Sequence, residues 1–352
     1  MKKVKTTLLY AFATALLLGG AAHAEVRSWR INSDTTKKPH FTDINAAMSS
    51  SDVVAGDTLY LDTGCVISTN QTLSKSVTLI GTGYASDAIQ TAKVGIIHIT
   101  ATNVKIEGVY FTGTAYIQAN YATIERCKIE GTTGLEASYA TIRQCRCCDA
   151  ISGKGSTSTV SQGCTIENCI ISSSNNYGTV RALYYPTITN NIIWNASTST
   201  INSYTQSVLS GIDGGVIRNN ILLNVKNTRA KTLWTGSVVN STVQNNVMSQ
   251  DEETLASTYP DNTFLDKGYT EAMSELFTLD SDTSHNRYRL KDGSPAKGAG
   301  VDGTDCGVFA GNYPFVDKGY PLGIPVITKS EVGVRAVDGK VSVKQTVVIQ
   351  ND

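Results

Sequence analysis

Between residues 76 and 250 apolar and polar positions alternate in short bursts, and the bursts are copies of one another. "CTIENCIISS" (164–173), "PTITNNIIWN" (186–195), "GVIRNNILLN" (215–224) and "STVQNNVMSQ" (241–250) share one plan: an apolar anchor, a polar residue, a two-residue kink, then apolar residues again. The anchors are Leu79, Ile106, Ile124, Ile142, Ile166, Ile188, Ile217 and Val243, spaced 18 to 29 residues apart. Alternation on both sides of a kink predicts two short strands joined by a bend, and no helical period appears between residues 100 and 250. Segments repeating at such intervals cannot bury an apolar face alone, so they must stack. The uneven spacing follows, because turns swell outward while strands stay in register. Each copy is therefore predicted to be the corner of one coil in a parallel β-helix, with coils ~4.8 Å apart.

Stacking turns the copies into columns. One inward column holds Val109, Cys127, Cys145, Cys169, Asn191, Asn220 and Asn246, a structural ladder of thiols giving way to amides that can bond along the stack. The next holds Phe111, Ile129, Cys147, Ile171, Ile193, Leu222 and Met248. Outward, Glu125, Arg143 and Glu167 alternate in sign, which predicts a surface ion-pair ladder of small energetic value. A further outward column runs Tyr110, Lys128, Arg146 and then Ile170, Ile192, Ile221, Val247. Four stacked aliphatic side chains need a cover. The chain's own turns are the simpler source; failing that, the column offers a surface for oligomer assembly.

The ends of the repeat resemble a known group. "FTDINAAMSSSDVVAGDTLYLDTGCVIS" (41–68) looks like an amphipathic cap helix and a first strand, and "SPAKGAGVDGTDCGVFAGNYPF" (294–315) looks like a closing segment, with Asp305, Gly307 and Gly311 in a DxGxxxG arrangement. Over roughly residues 40–320 the chain resembles secreted right-handed parallel β-helix proteins of the pectate-lyase-like superfamily. The resemblance implies an all-β fold, a right-handed single-stranded parallel β-helix of about 8–10 coils with an N-terminal cap helix. It implies little about activity, because this fold serves lyases, hydrolases, epimerases and adhesins alike. The expected layout is a signal peptide (1–24), an N-terminal cap (25–55), the β-helix (56–325) and a C-terminal hairpin or tail (326–352), where "EVGVRAVDGKVSVKQTVVIQ" alternates around Asp338-Gly339. Residues 251–292 are acidic and read as an irregular excursion that loses the repeat.

Composition narrows the partners. Lys2, Lys3 and Lys5, an apolar run and Ala22-His23-Ala24 form a secretory leader, so the mature chain is expected from Glu25, exported to the periplasm, the cell surface or the medium. Without those lysines, 27 basic residues face 30 acidic ones, which gives no motive for nucleic acid. No later stretch is long and apolar enough for a membrane span. The cysteines fall mainly on inward positions and are expected to be reduced; "CRCC" lacks zinc spacing, and neither metal nor cofactor is implied.

Catalytic signatures are sparse. Residues 104–250 contain two aspartates, Asp149 and Asp213, and no histidine, so the paired carboxylates of a glycosidase and the acidic cluster of a calcium-dependent lyase are not apparent. The later coils do hold cations among aromatic rings: Arg181, Tyr184, Tyr185, Trp194, Arg218, Lys231 and Trp234. Rings stack on sugar faces and guanidinium groups fork onto carboxylate or sulfate, so this region is the expected contact for an acidic extracellular polysaccharide. A non-catalytic glycan-binding or surface-structural role is the leading expectation. A polysaccharide lyase working by β-elimination and an adhesion module are the alternatives.

Overall fold

A computed structural model describes residues 26–84, 91–156, 159–175, 177–197, 206–225, 230–233, 237–249, 253–279, 287–320, 326–332 and 343–348. Among them, the chain winds repeatedly through three sheets whose strands are all parallel. Sheet A has ten strands, from Ser28–Ile31 to Thr242–Gln244; sheet B has ten, from Val66–Ile67 to Thr263–Leu265; sheet C has nine, beginning at Gln71–Leu73. The anchor residues pair with one another in order: Leu79, Ile106, Ile124, Ile142, Ile166, Ile188, Ile217, Val243. This is a parallel β-helix. Helix α1 (Ile44–Ser49), N-capped by the Asp43 side chain accepting from the Ala46 N–H at 2.8 Å, buries Ile44, Ala47 and Met48 at the first coils. The residues of the expected leader and the Asp338-Gly339 turn lie outside the described residues. The strands flanking that turn, Val326–Val332 and Val343–Val348, pair antiparallel. No helix among the described residues is long and apolar enough to cross a membrane.

The inward ladder explains the repeated Asn-Asn pairs. Each second Asn is buried and accepts from the coil before it: Asn191 Oδ1 takes the Cys169 N–H at 2.8 Å, and the later ones take two N–H groups each. Asn220 Oδ1 accepts from Asn191 N and Nδ2 at 2.9 and 3.0 Å, and Asn246 Oδ1 accepts from Asn220 N and Nδ2 at 2.9 Å each. A fourth rung follows: Asn262 Oδ1 accepts from Asn246 N and Nδ2 at 3.0 and 2.9 Å. In the cysteine part sulfur takes the same post more weakly, Cys145 N–H pointing at Cys169 Sγ at 3.4 Å. All described cysteines are free thiols, and burial pushes Cys127, Cys147 and Cys169 up.

Each first residue of the pair is left-handed. Gly108, Arg126, Gln144, Asn168, Asn190, Asn219 and Asn245 all have φ between 50° and 65°, a conformation that Asn and Gly adopt most readily. From Gln144 to Asn245 their side chains face residues 294–320, which run back along the stack as a strap. Asn168 Nδ2 donates to Val308 O and Ala310 O at 2.9 and 2.6 Å, Gln144 Nε2 to Pro314 O at 2.6 Å, and Asn219 Oδ1 accepts from Val301 N–H at 2.9 Å. Gly311 sits where a Cβ would stand 3.0 Å from Asn190 Oδ1, and its φ of 79° also favours glycine.

The strap and the 251–292 segment cover the aliphatic column. Ile170, Ile192, Ile221 and Val247 are buried with Leu265, Met273, Leu276, Phe277, Val308 and Phe315. The condition for assembly through that column, that the chain leave it uncovered, is therefore not met. The 251–292 segment also departs from expectation. Thr263–Leu265 rejoins sheet B beside Val247–Ser249, and α2 (Glu253–Thr258) and α3 (Tyr269–Leu276) flank it. Its Asn262-Thr263-Phe264-Leu265 is a degenerate copy of the repeat, with one Asn where the three coils before it have two.

A second left-handed column marks the corner from sheet C to sheet A: Asn103, Tyr121, Tyr139, Gly163, Tyr185, Gly214 and Asn240, with φ between 49° and 71°. From Asn103 to Gly214 each N–H bonds to the next coil, as in Tyr121 N–H to Ser138 O and Tyr139 N–H to Gln162 O. For a tyrosine this conformation costs about 1–2 kcal/mol.

Candidate functional site

The structure distributes the sequence-predicted glycan residues over different faces. Arg181 and Tyr184 lie on the sheet C strand Val180–Tyr184, Tyr185 at the following corner, and Arg218 on sheet A. Trp194 is a correction. It stands on sheet B only 9% exposed, under the rings of Tyr269 and Tyr288 at 6.1 and 6.0 Å, so it is core rather than a sugar platform. Lys231 belongs to the sheet C strand Ala230–Leu233, its side chain outside the described residues, as is Trp234. No single groove collects the described members of the set. Arg181 is itself half-covered: Nη1 donates to Gly178 O at 2.7 Å, and burial lowers its pKa against the opposing pull of Asp149.

The outward charges of sheet A form a closed network instead of an exposed ladder. Arg126 Nη2 reaches Glu107 and Glu125 at 2.8 and 3.1 Å, while Arg143 bonds Glu125 and Glu167 at 3.0 and 2.6 Å. The Arg126 side chain is 4% exposed, and the Tyr313 ring of the strap lies 3.6 Å from the Arg143 guanidinium. The expectation of a weakly held surface ladder is overturned because the strap covers it. Every carboxylate here already has a cation, so the network is structural.

On sheet B, the column that becomes aliphatic further on begins as a cationic strip. Lys93, Tyr110, Lys128 and Arg146 pair on successive strands. The Tyr110 ring lies between two ammonium groups, with Lys93 Nζ 5.4 Å and Lys128 Nζ 4.4 Å from its centroid. Lys128 bonds Glu130 at 3.0 Å and Tyr110 Oη at 3.2 Å, and Tyr110 donates to Glu130. Burial pulls the Lys128 pKa down, but those bonds outweigh it and the net shift is upward. The Tyr110 bond leads in holding Glu130 below the usual carboxylate range. Among the described residues Lys93 and Arg146 make no ion pair, so three cations in one column face one bonded carboxylate. Alternation marks Tyr110, Lys128 and Arg146 as outward, 18 residues apart; their charge drew no assignment because they fall in the early coils.

Sheet C carries a polar strip of balanced charge. The His98 and Tyr116 rings stack at 4.9 Å and 16°, His98 Nδ1 meets Gln118 Oε1 at 3.2 Å, Gln118 Nε2 donates to Glu136 at 3.1 Å, and Lys154 stands 3.9 Å from Glu136. Because Gln118 gives its N–H to Glu136, its oxygen faces His98, and Nδ1 is the donor in that contact. Sequence reasoning passed over these residues because sheet C strands lack the Asn-Asn signature. A cavity of about 230 Å³ between Tyr288, Arg289, Lys297, Asp305 and Phe309 is smaller than a typical ligand site. Among the described residues no three His, Cys, Asp or Glu side chains group to hold a metal ion.

No family model matches the chain, and no curated protein does. Among solved structures, a PL6-family polysaccharide lyase from Pseudopedobacter saltans is similar at 13% identity, over 82% of this chain and 100% of that one, with a TM-score of 0.24. No residue role follows from a likeness of that size.

Proposed function

We propose that the protein is an exported β-helix of the pectate-lyase-like kind that binds an anionic polysaccharide without chemical conversion, along the cationic strip of sheet B. The observation that carries this reading is the Lys93–Tyr110–Lys128–Arg146 column, in which two cations lack carboxylate partners among the described residues. A polyanion laid along the stack meets one side chain per coil, at ~4.8 Å intervals. Guanidinium and ammonium groups are the natural donors to carboxylate or sulfate. The test is affinity electrophoresis through gels holding polygalacturonate, alginate or a sulfated galactan. Retardation that weakens as salt rises and is lost in Lys93→Ala/Arg146→Ala supports the reading. Equal mobility of wild type in every anionic gel sinks it.

One observation favours a second reading, a lyase acting on the same class of polymer. His98 stacks on the Tyr116 phenol with its Nδ1 held by Gln118, two groups of the kind that take a proton and give one in a β-elimination. Release of unsaturated uronate, followed by absorbance and abolished by His98→Ala, distinguishes it from binding alone.

A further inference from the structure

The corner from sheet C to sheet A holds tyrosine where the backbone favours asparagine or glycine. Asn103, Gly163, Gly214 and Asn240 occupy the column with the residue types suited to positive φ, while Tyr121, Tyr139 and Tyr185 sit there at 62°, 59° and 49°. Burial does not compensate them, because they are 55%, 45% and 60% exposed. Tyr121 stacks on Tyr139 at 5.2 Å with planes 8° apart. Tyr139 lies over Gly163, where a Cβ would stand 2.8 Å from its ring, and Tyr185 lies over Gly214 in the same way. The rings thus form a row parallel to the long axis, with glycine in the following coil making room for them. Residues held in sparsely populated backbone regions cluster at active sites and ligand clamps.

We infer that this corner is a stacking platform for the pyranose rings of a polysaccharide lying along the β-helix. Tyrosine offers a rigid apolar face with a polar edge, which complements the C–H face of a sugar ring and its rim of hydroxyls. The inference rests on the carbohydrate reading above but not on charge, so its ligand includes neutral glycans.

The test uses Tyr121→Asn/Tyr139→Asn/Tyr185→Asn, which installs the residue that the same column already carries at its two ends. Gels containing neutral β-glucan, galactomannan or arabinan probe the corner; polygalacturonate probes sheet B. The expected result is wild-type retardation by at least one neutral polymer, weakened about tenfold or more in the triple variant, whose Tm is no lower than wild type. Three outcomes overturn the inference: no wild-type retardation in any neutral gel, equal retardation of both proteins, or a clear drop in the variant's Tm, which makes the tyrosines structural. Neutral binding without retardation in any anionic gel removes the sheet B reading alone. Polygalacturonate binding without neutral binding removes the tyrosine platform alone.

Discussion

Replacing Asn220 by Ala tests whether the amide ladder holds the later coils together. Asn220 Oδ1 accepts from both nitrogens of Asn191, and its Nδ2 donates to Ile188 O at 2.8 Å, to Arg218 O at 2.9 Å and to Asn246 Oδ1 at 2.9 Å. Alanine leaves the Asn191 backbone N–H and one hydrogen of its Nδ2 with no acceptor, the other hydrogen staying on Ile166 O at 2.9 Å. At about 1–3 kcal/mol for each orphaned buried group, the expected loss is roughly 2–6 kcal/mol. Asn220→Cys provides an internal comparison, since Cys169 fills the same column and its sulfur accepts one backbone N–H at 3.4 Å. It should recover part of the loss, giving the order Asn, Cys, Ala. Equilibrium urea unfolding, followed by far-UV circular dichroism and by tryptophan fluorescence, reads the difference if both probes move together. An Ala variant within about 1 kcal/mol of wild type, or a Cys variant no better than Ala, refutes the argument.

Two further outcomes are expected. Asn168→Ala removes two bonds to the strap and should cost about 1–3 kcal/mol while speeding tryptic cleavage after Lys297 or Lys318; an unchanged digestion pattern counts against the strap's dependence on that side chain. Asp57 is buried, which raises its pKa, but hydrogen bonds from Trp29 Nε1, Val54 N and Arg27 N outweigh that and hold it below the ordinary carboxylate value. Its contribution is therefore present above the unfolded pKa of about 3.9 and disappears as pH falls through the lower folded value. Asp57→Asn should destabilise the first coils at neutral pH and much less at strongly acid pH, and an equal effect at both contradicts the assignment.

The register was legible because it depends on local alternation. A one-residue slip would turn Ile124 and Ile142 outward, so the pattern itself determines which strands meet. The Asn-Asn pairs marked the bend, and the second Asn of each was readable as inward. What the first Asn does was not readable, because its partners lie in the strap, as with Asn168 and Val308 at a separation of 140 residues. Trp194 misled for a related reason: a tryptophan on an outward-facing strand looks available until the helix above it, α3, is placed. Arg126 joined the buried ion network from a left-handed position that alternation does not describe. Of the corner column only Tyr185 was singled out, as a glycan contact, because Tyr, Gly and Asn share a backbone conformation there and no side-chain chemistry.

The strap has a consequence for biosynthesis. Ile170 and Ile192 take their places on the growing chain long before Val308 and Phe315, which shield them, have been made. Until then a nascent molecule presents a ready-formed greasy stripe to its surroundings. Such a delay invites a holding chaperone until the strap closes, and the last contacts to close, being the most distant in sequence, set the pace of maturation.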